Sequence, residues 1–288
     1  MMKCRESIII RAQKDFNPNI VSLNTDAIAT LTLPDLSHGF DDFSYIAPDC
    51  SVEELATLWL VFSAQAFQFK HKEKHGGLSK IHYLDSTGSN AVLKMIRDSH
   101  SEGGFQQMRA LFRTLPLHEE RESILNEMYS DESRIQLASQ GIISSARKGW
   151  VSCDHAKQLA DMFPKSFSDP YLKKAQLAVS AIAGCVQHRE GVIVKDNLTA
   201  FADYEVPRVL RHFGILTYSP ALLAKIESGV QIEKDSVEER ALRGATILAI
   251  EMIAAQFGYS ASALDNYFWG AQKEIGETPV HFTDTTCY

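Results

Sequence analysis

The tetrapeptide Ser-Val-Glu-Glu occurs twice, at Ser51-Val52-Glu53-Glu54 and at Ser236-Val237-Glu238-Glu239. Both are capping boxes, in which the Ser hydroxyl and the second Glu satisfy backbone N–H groups that the first helical turn leaves without partners. The first predicts a helix through Trp59, Phe62, Ala66 and Phe69 that is apolar nearly all round, hence central, and that ends at Gly76-Gly77. The second predicts a helix through Arg243, Leu248, Met252 and Phe257 to Gly258, with its second half in the core. Similar starts and stops recur between and after them. Helices are expected over 89–97, 105–113, 117–129, 155–162 and 220–227, in pieces over 134–139 and 142–148 around Gly141, after Asp169-Pro170, and over 264–269. Strand signals are scarce, His82 to Asp85 being a short strand or a loop. The expectation is a predominantly all-α chain, most simply one domain over 1–288, with a less regular segment over 1–50.

Composition narrows the function classes. The 288 residues are 45% hydrophobic and 23% charged, as in an ordinary globular protein. A formal charge of -7 disfavours a polynucleotide partner, since no general positive field draws in a phosphate backbone. One mononucleotide can still be held by a local Lys or Arg. The start, Met1-Met2-Lys3-Cys4-Arg5-Glu6-Ser7, leads into only a three-residue isoleucine run and does not read as a signal peptide. The longest apolar stretch, 55–69, is too short and too interrupted to span a bilayer. A cytosolic protein without a membrane partner is expected, and its oligomeric state stays open. The five cysteines form no C-x-x-C pair and read as reduced thiols. His71 and His75 have the spacing of two metal ligands on one helix face, but Lys70, Lys72, Glu73 and Lys74 make a solvated helix end the better reading. No metal or cofactor is expected. Signature loops for nucleoside triphosphates, dinucleotides, serine hydrolysis and zinc proteolysis are all absent.

One stretch carries a costly group: Phe201-Ala202-Asp203-Tyr204-Glu205-Val206-Pro207. Asp203 sits among Phe201, Ala202 and Tyr204, just before a proline suited to a first helical position, with Gly214 placed to end that helix. The helix dipole favours the ionised carboxylate and apolar neighbours oppose it. On spacing alone Asp203 reads as an ordinary helix-capping Asp. By the same kind of reading, Lys173 and Lys174 form a solvated face.

Several segments taken together change that balance. Lys173-Lys174-Ala175-Gln176 is similar to the K-R-A-Q of the queuosine salvage family, the queuosine 5'-phosphate N-glycosylases. Further matches are Phe201-Ala202-Asp203-Tyr204 with Pro207, Val209 and Leu210; Gly214-Ile215-Leu216 with Tyr218-Ser219; Glu239 with Arg243-Gly244; and Leu264-Asp265-Asn266-Tyr267-Phe268-Trp269. A weaker match covers Leu117-His118-Glu119-Glu120-Arg121. The resemblance is strongest over 169–270. It implies a helical fold similar to helix-hairpin-helix DNA glycosylases, and hydrolysis of queuosine 5'-monophosphate to queuine and ribose 5-phosphate. It also implies a catalytic Asp at Asp203 and an active-site Lys at Lys173. The candidate substrate-binding residues are Phe201, Tyr204, Arg243, Asp265, Trp269 and His281; for Asp265, Tyr267 and Trp269 an ordinary buried role competes.

These residue types suit the chemistry. Breaking an N-glycosidic bond builds positive charge on the anomeric carbon, so a fixed carboxylate stabilises the transition state more than the ground state. Asp203 acts electrostatically, as a general base on water, or as a nucleophile. A nearby cation such as Lys173 would keep it ionised and pair with a 5'-phosphate. In a 7-deazaguanine the position of N7 is carbon, so the leaving base must be protonated elsewhere; Tyr204 offers a hydroxyl or a stacking face. Departures from the family pattern lie at 63–70, which keeps two phenylalanines but loses an Asp, an Asn and a Trp, at Ala181, and at Phe282-Thr283-Asp284 after His281. They leave two alternatives: the same chemistry on another deazapurine or purine nucleotide, or a non-catalytic protein that binds a modified base or a protein partner.

Overall fold

A computed structural model describes residues 3–72, 78–102, 104–276 and 278–288. In chain order its helices are α1 (Cys4–Asp15), α2 (Thr25–Ala29), α3 (Val52–Ala64), α4 (Ser89–Glu102), α5 (Gly104–Phe112), α6 (His118–Tyr129) and α7 (Glu132–Arg147). After these come α8 (Cys153–Met162), α9 (Pro164–Phe167), α10 (Lys173–Glu190), α11 (Glu205–His212), α12 (Pro220–Glu227), α13 (Val237–Phe257) and α14 (Ala261–Ala271). The strands described are two or three residues long, so the chain is mostly helical, as its caps indicate. No single described helix is long and apolar enough to cross a membrane; α13 and α14 reach that hydropathy only together, across a 113° bend. The chain packs as two compact units, one of 1–41 with 196–286 and Tyr288, the other of 42–195 with Cys287.

In the second of these units α3 packs against α10 and α7, and α10 also against α8. Ser51 accepts from the Glu54 N–H at 3.3 Å while the Glu54 carboxylate accepts from the Ser51 N–H at 2.8 Å, so the first capping box is complete. Almost every side chain of α3 from Leu55 to Ala64 is buried. The helix stops at Ala64, short of the expected Phe69, because the carbonyls that would continue its ladder are taken by the buried cations Lys173, Lys174 and Arg121. The chain turns through Gln68 at φ +44, and Lys70–Lys72 pairs antiparallel with Leu78–Lys80. His71 is therefore on a strand rather than a helix end, and His75 lies outside the described residues. The two pieces expected around Gly141 are one helix, α7. A glycine costs a helix only about 1 kcal/mol relative to alanine, and the continuous apolar face of Ile135, Ala138, Ile142, Ile143 and Ala146 outweighs it.

The other unit is built on α13, against which α1, α11 and α14 pack. The first fifty residues are thus more regular than expected, since the isoleucine run lies in α1. The approach of α1 explains Gly244: a Cβ there would lie 2.8 Å from the Ala12 carbonyl oxygen. Val21–Leu23 pairs antiparallel with Leu216–Tyr218, Val21 opposite Tyr218. Ser219 caps α12 through the Leu222 N–H with Pro220 next in the chain, as its sequence requires. The second Ser-Val-Glu-Glu is used differently from the first. Ser236 accepts from the Glu239 N–H at 3.1 Å, but the Ser236 N–H goes to the Glu233 carbonyl and the Glu239 carboxylate is buried 3.7 Å from Arg243.

Candidate active site

Asp203 sits where an extended segment enters α11. The helix begins two residues before Pro207, which occupies its third position, still within the first turn where a missing N–H costs nothing. One carboxylate oxygen of Asp203, Oδ1, accepts from the N–H groups of Glu205 at 2.9 Å and Val206 at 3.0 Å. Asp203 is only 8% exposed, so a buried anion is met by two backbone donors and by the positive end of a helix dipole. The capping role read from spacing is real. The same bonds fix the carboxylate's orientation.

The backbone just before it is clamped. The Phe201 N–H donates to Asp265 Oδ1 at 2.9 Å, and the Ala202 carbonyl accepts from Arg243 Nε at 3.3 Å. Between these contacts Ala202 has φ +52, in the left-handed region. For a residue with a Cβ that conformation costs on the order of 1 kcal/mol or more. Arg243 is buried with its guanidinium carbon 4.7 Å from the Tyr288 ring centre. The Tyr288 ring lies 6.5 Å from that of Tyr204 and 6.1 Å from that of His281.

Burial dominates the electrostatics here. The Tyr204 hydroxyl is raised well above the ordinary tyrosine range by burial, then by the negative charges of Glu205 and Asp203, with Arg208 opposing. Tyr204 is therefore a protonated donor at neutral pH. Burial, and then the charge of Arg243, pulls His281 down to about 4, so its imidazole is neutral. Glu239 is raised by burial, against the pull of Arg243. Glu205 and Arg208 form a buried ion pair at 2.7 Å, and Arg208 also donates to the Thr278 carbonyl at 3.1 Å.

Six of the candidate residues are thus linked within one unit: Phe201, Asp203, Tyr204, Arg243, Asp265 and His281. Trp269 is 37% exposed and takes no part in these contacts. Tyr267 lines a separate cavity of about 300 Å³ with His38, Asp41, Asn266 and Glu274; Asp203 is not among the residues around it. Tyr288 and Ala202 join the group without a signal in the sequence. Nothing marks an alanine for a left-handed conformation.

Lys173 belongs to the other unit. The solvated face expected for Lys173 and Lys174 is overturned: they are 5% and 1% exposed. The Lys173 ammonium donates to the Ala66 carbonyl at 3.1 Å, and the Lys174 ammonium to the Ala64 carbonyl at 3.0 Å. Small residues along α10 allow it close to the end of α3, where the Ala64 carbonyl and the Ala66 carbonyl just beyond it accept these cations near the negative end of the helix dipole. Arg121 of α6 is fully buried and completes the arrangement. It donates to the carbonyls of Pro116 at 2.9 Å, Gln65 at 3.0 Å and Phe67 at 2.8 Å, with its guanidinium carbon 4.1 Å from the Phe67 ring centre. Burial pulls Lys174 down to about 7 and Arg121 to about 9. Asp169 accepts from the Tyr171 N–H at 2.9 Å and the Lys173 N–H at 2.6 Å, fixing the start of α10 after Leu172, itself at φ +54. Among the described residues no group of three or more His, Cys, Asp or Glu side chains could hold a metal ion.

Fold and site together define a mostly helical protein with a buried carboxylate fixed at a helix N-terminus. Among known proteins, residues 156–288 match the model of the queuosine salvage protein family. The queuosine 5'-phosphate N-glycosylase/hydrolase of Sphaerobacter thermophilus is 34% identical over 194 residues, 60% of this chain and 59% of that protein. The proteins of that name from Mus musculus and Dictyostelium discoideum are 28% and 30% identical over 51% and 41% of this chain, and 48% and 39% of their own lengths. The chain is similar to these proteins, and it spans between about two fifths and three fifths of their lengths.

Proposed function

We propose that this chain is an N-glycosidase that hydrolyses queuosine 5'-monophosphate to queuine and ribose 5-phosphate, with no metal or cofactor and no polynucleotide partner, in the cytosol. The observation that carries the reading is Asp203 itself, a buried carboxylate whose Oδ1 is fixed by two backbone N–H groups inside the Phe-Ala-Asp-Tyr motif. Such a group needs no reorganisation as positive charge develops on the anomeric carbon. As the bond to the base breaks, its electron pair leaves with the base; water attacks the anomeric carbon and gives a proton to Asp203, and that proton passes through solvent to the departing base, which is released neutral while Asp203 is restored as the carboxylate. Tyr204 remains protonated and serves as a hydrogen-bond donor rather than a base. The names of the relatives support the substrate, and the proposal extends to a helical fold similar to that of helix-hairpin-helix DNA glycosylases.

A second reading, the same chemistry on another purine or deazapurine nucleotide, is favoured by one observation. In the divergent segment 63–70, Ser63, Gln65 and Phe67 are buried, and the Gln65 amide donates to the Arg121 carbonyl at 3.1 Å. The test is free-base release from queuosine 5'-monophosphate, queuosine and guanosine monophosphate. Fastest release from the first supports the proposal; release from guanosine monophosphate alone selects the second reading; tight binding without release from any of them refutes both.

A further inference from the structure

We infer that Arg243 and Asp265 are positioning residues, which hold the backbone before Asp203 in its left-handed turn and so aim the carboxylate, rather than residues that contact the nucleotide; this rests on the hydrolytic role proposed for Asp203. The two side chains reach the loop from different helices, α13 and α14, and grip the backbone at the Phe201 N–H and the Ala202 carbonyl, so that the strained residue lies within the span they hold. Asp265 takes the Phe201 N–H at 2.9 Å, and Arg243 gives its Nε–H to the Ala202 carbonyl at 3.3 Å. Ala202, between them, is at φ +52 and fully buried.

A non-glycine residue persists in that conformation only where its surroundings over-determine it. Here the surroundings are two buried charged side chains, and Asp203 is the next residue along the chain. The peptide linking Ala202 to Asp203 is the one whose carbonyl Arg243 holds, so its rotation would swing the Asp203 side chain away from the Glu205 and Val206 N–H groups. Arg243 is in turn placed by Glu239, 3.7 Å away and one helical turn earlier, and by the Tyr288 ring. This placement accounts for the Glu239 that leaves its capping box. A lysine cannot replace Arg243, because a single ammonium lacks the fixed plane that presents Nε–H to the carbonyl while the rest of the group lies against the tyrosine.

The two roles differ in what a conservative change does. In Asp265→Asn the amide oxygen still accepts the Phe201 N–H, while the charge that would attract a cationic base is lost. Positioning predicts a fall in kcat of about tenfold or more with KM within about twofold for Asp265→Ala and Arg243→Lys, and a smaller fall in kcat, again with KM within about twofold, for Asp265→Asn, since small displacements of a catalytic group cost that much. Substrate contact predicts a raised KM for Asp265→Asn as for Asp265→Ala, and that result overturns the inference. Hydrogen–deuterium exchange over 198–206 tests the structural half without turnover. Faster exchange in Asp265→Ala and Arg243→Lys but not in Asp265→Asn supports the clamp, and unchanged exchange in all three overturns it. Absence of base release by the unsubstituted protein would count against the proposed function alone, and the exchange result would still decide the clamp.

Discussion

Lys174 offers a prediction whose size comes from its surroundings. Its ammonium lies against the Ala64 carbonyl and 4.8 Å from the Phe67 ring centre, almost wholly out of water. Burial pulls its pKa from 10.5 to about 7, with Lys173 and Arg121 assisting and Cys287 and Asp169 opposing. The folded protein therefore binds fewer protons than the unfolded chain between those values, and its stability rises with pH across that window. Below about pH 7 the lysine is charged in both states and the full penalty is present; above about pH 10.5 it is neutral in both and the penalty is gone. The whole shift corresponds to roughly 5 kcal/mol, of which about 2 kcal/mol is recovered between pH 7 and pH 9. The perturbation is Lys174→Met, which keeps the length and removes the titration. Urea unfolding of both proteins at pH 7, 8 and 9 isolates the lysine, because every other titrating group is common to the pair. The unsubstituted protein should gain about 2 kcal/mol on the variant over that range. A difference that stays constant with pH would refute the reasoning, for it would mean that Lys174 is no harder to charge in the folded state than in the unfolded one.

Two other sites give outcomes of similar size. Gly244→Ala should destabilise the protein by about 1–3 kcal/mol, although alanine is the better helix former, because its Cβ would press on the Ala12 carbonyl from 2.8 Å; a raised melting temperature would contradict the close approach of α1. His281, pulled from 6.5 to about 4 by burial and Arg243, binds its proton less readily when folded, so the stability it permits is present above about pH 6.5 and is lost as pH falls through about 4. His281→Gln should spare the protein about 2 kcal/mol of the loss between pH 7 and pH 4.5, measured by urea unfolding, and an unchanged loss would show that the imidazole is not the group responsible.

The elements most legible in the sequence were those whose signal is chemical and local. Ser219-Pro220 and Ser51 with Glu54 announce helix starts because a side-chain oxygen and a missing N–H act within one turn. Asp203 was legible as a buried acid because its immediate neighbours are apolar. What the sequence hid depends on partners far along the chain. The two Ser-Val-Glu-Glu segments are identical, yet only the neighbourhood of Arg243 draws Glu239 away from its cap. Lys173 and Lys174 look solvated until α10 is set against the end of α3, and Arg121 is fully buried although its charged neighbours Glu119, Glu120 and Glu122 are not. The left-handed turn at Ala202 had no signal at all, because such conformations are read from glycine and asparagine, and the partners bonded beside this one, Arg243 and Asp265, lie about 40 and 60 residues along the chain.

The measurement closest to the central claim is release of queuine from queuosine 5'-monophosphate by the unsubstituted chain and by Asp203→Asn, side by side. Asparagine keeps the shape and its oxygen can still accept the Glu205 and Val206 N–H groups, so the substitution removes the charge and little else. The account predicts release by the unsubstituted protein and a loss of at least about a hundredfold in the variant, the scale on which a single electrostatic or acid–base group contributes. Equal rates in the two proteins would contradict it and move the chemistry away from Asp203.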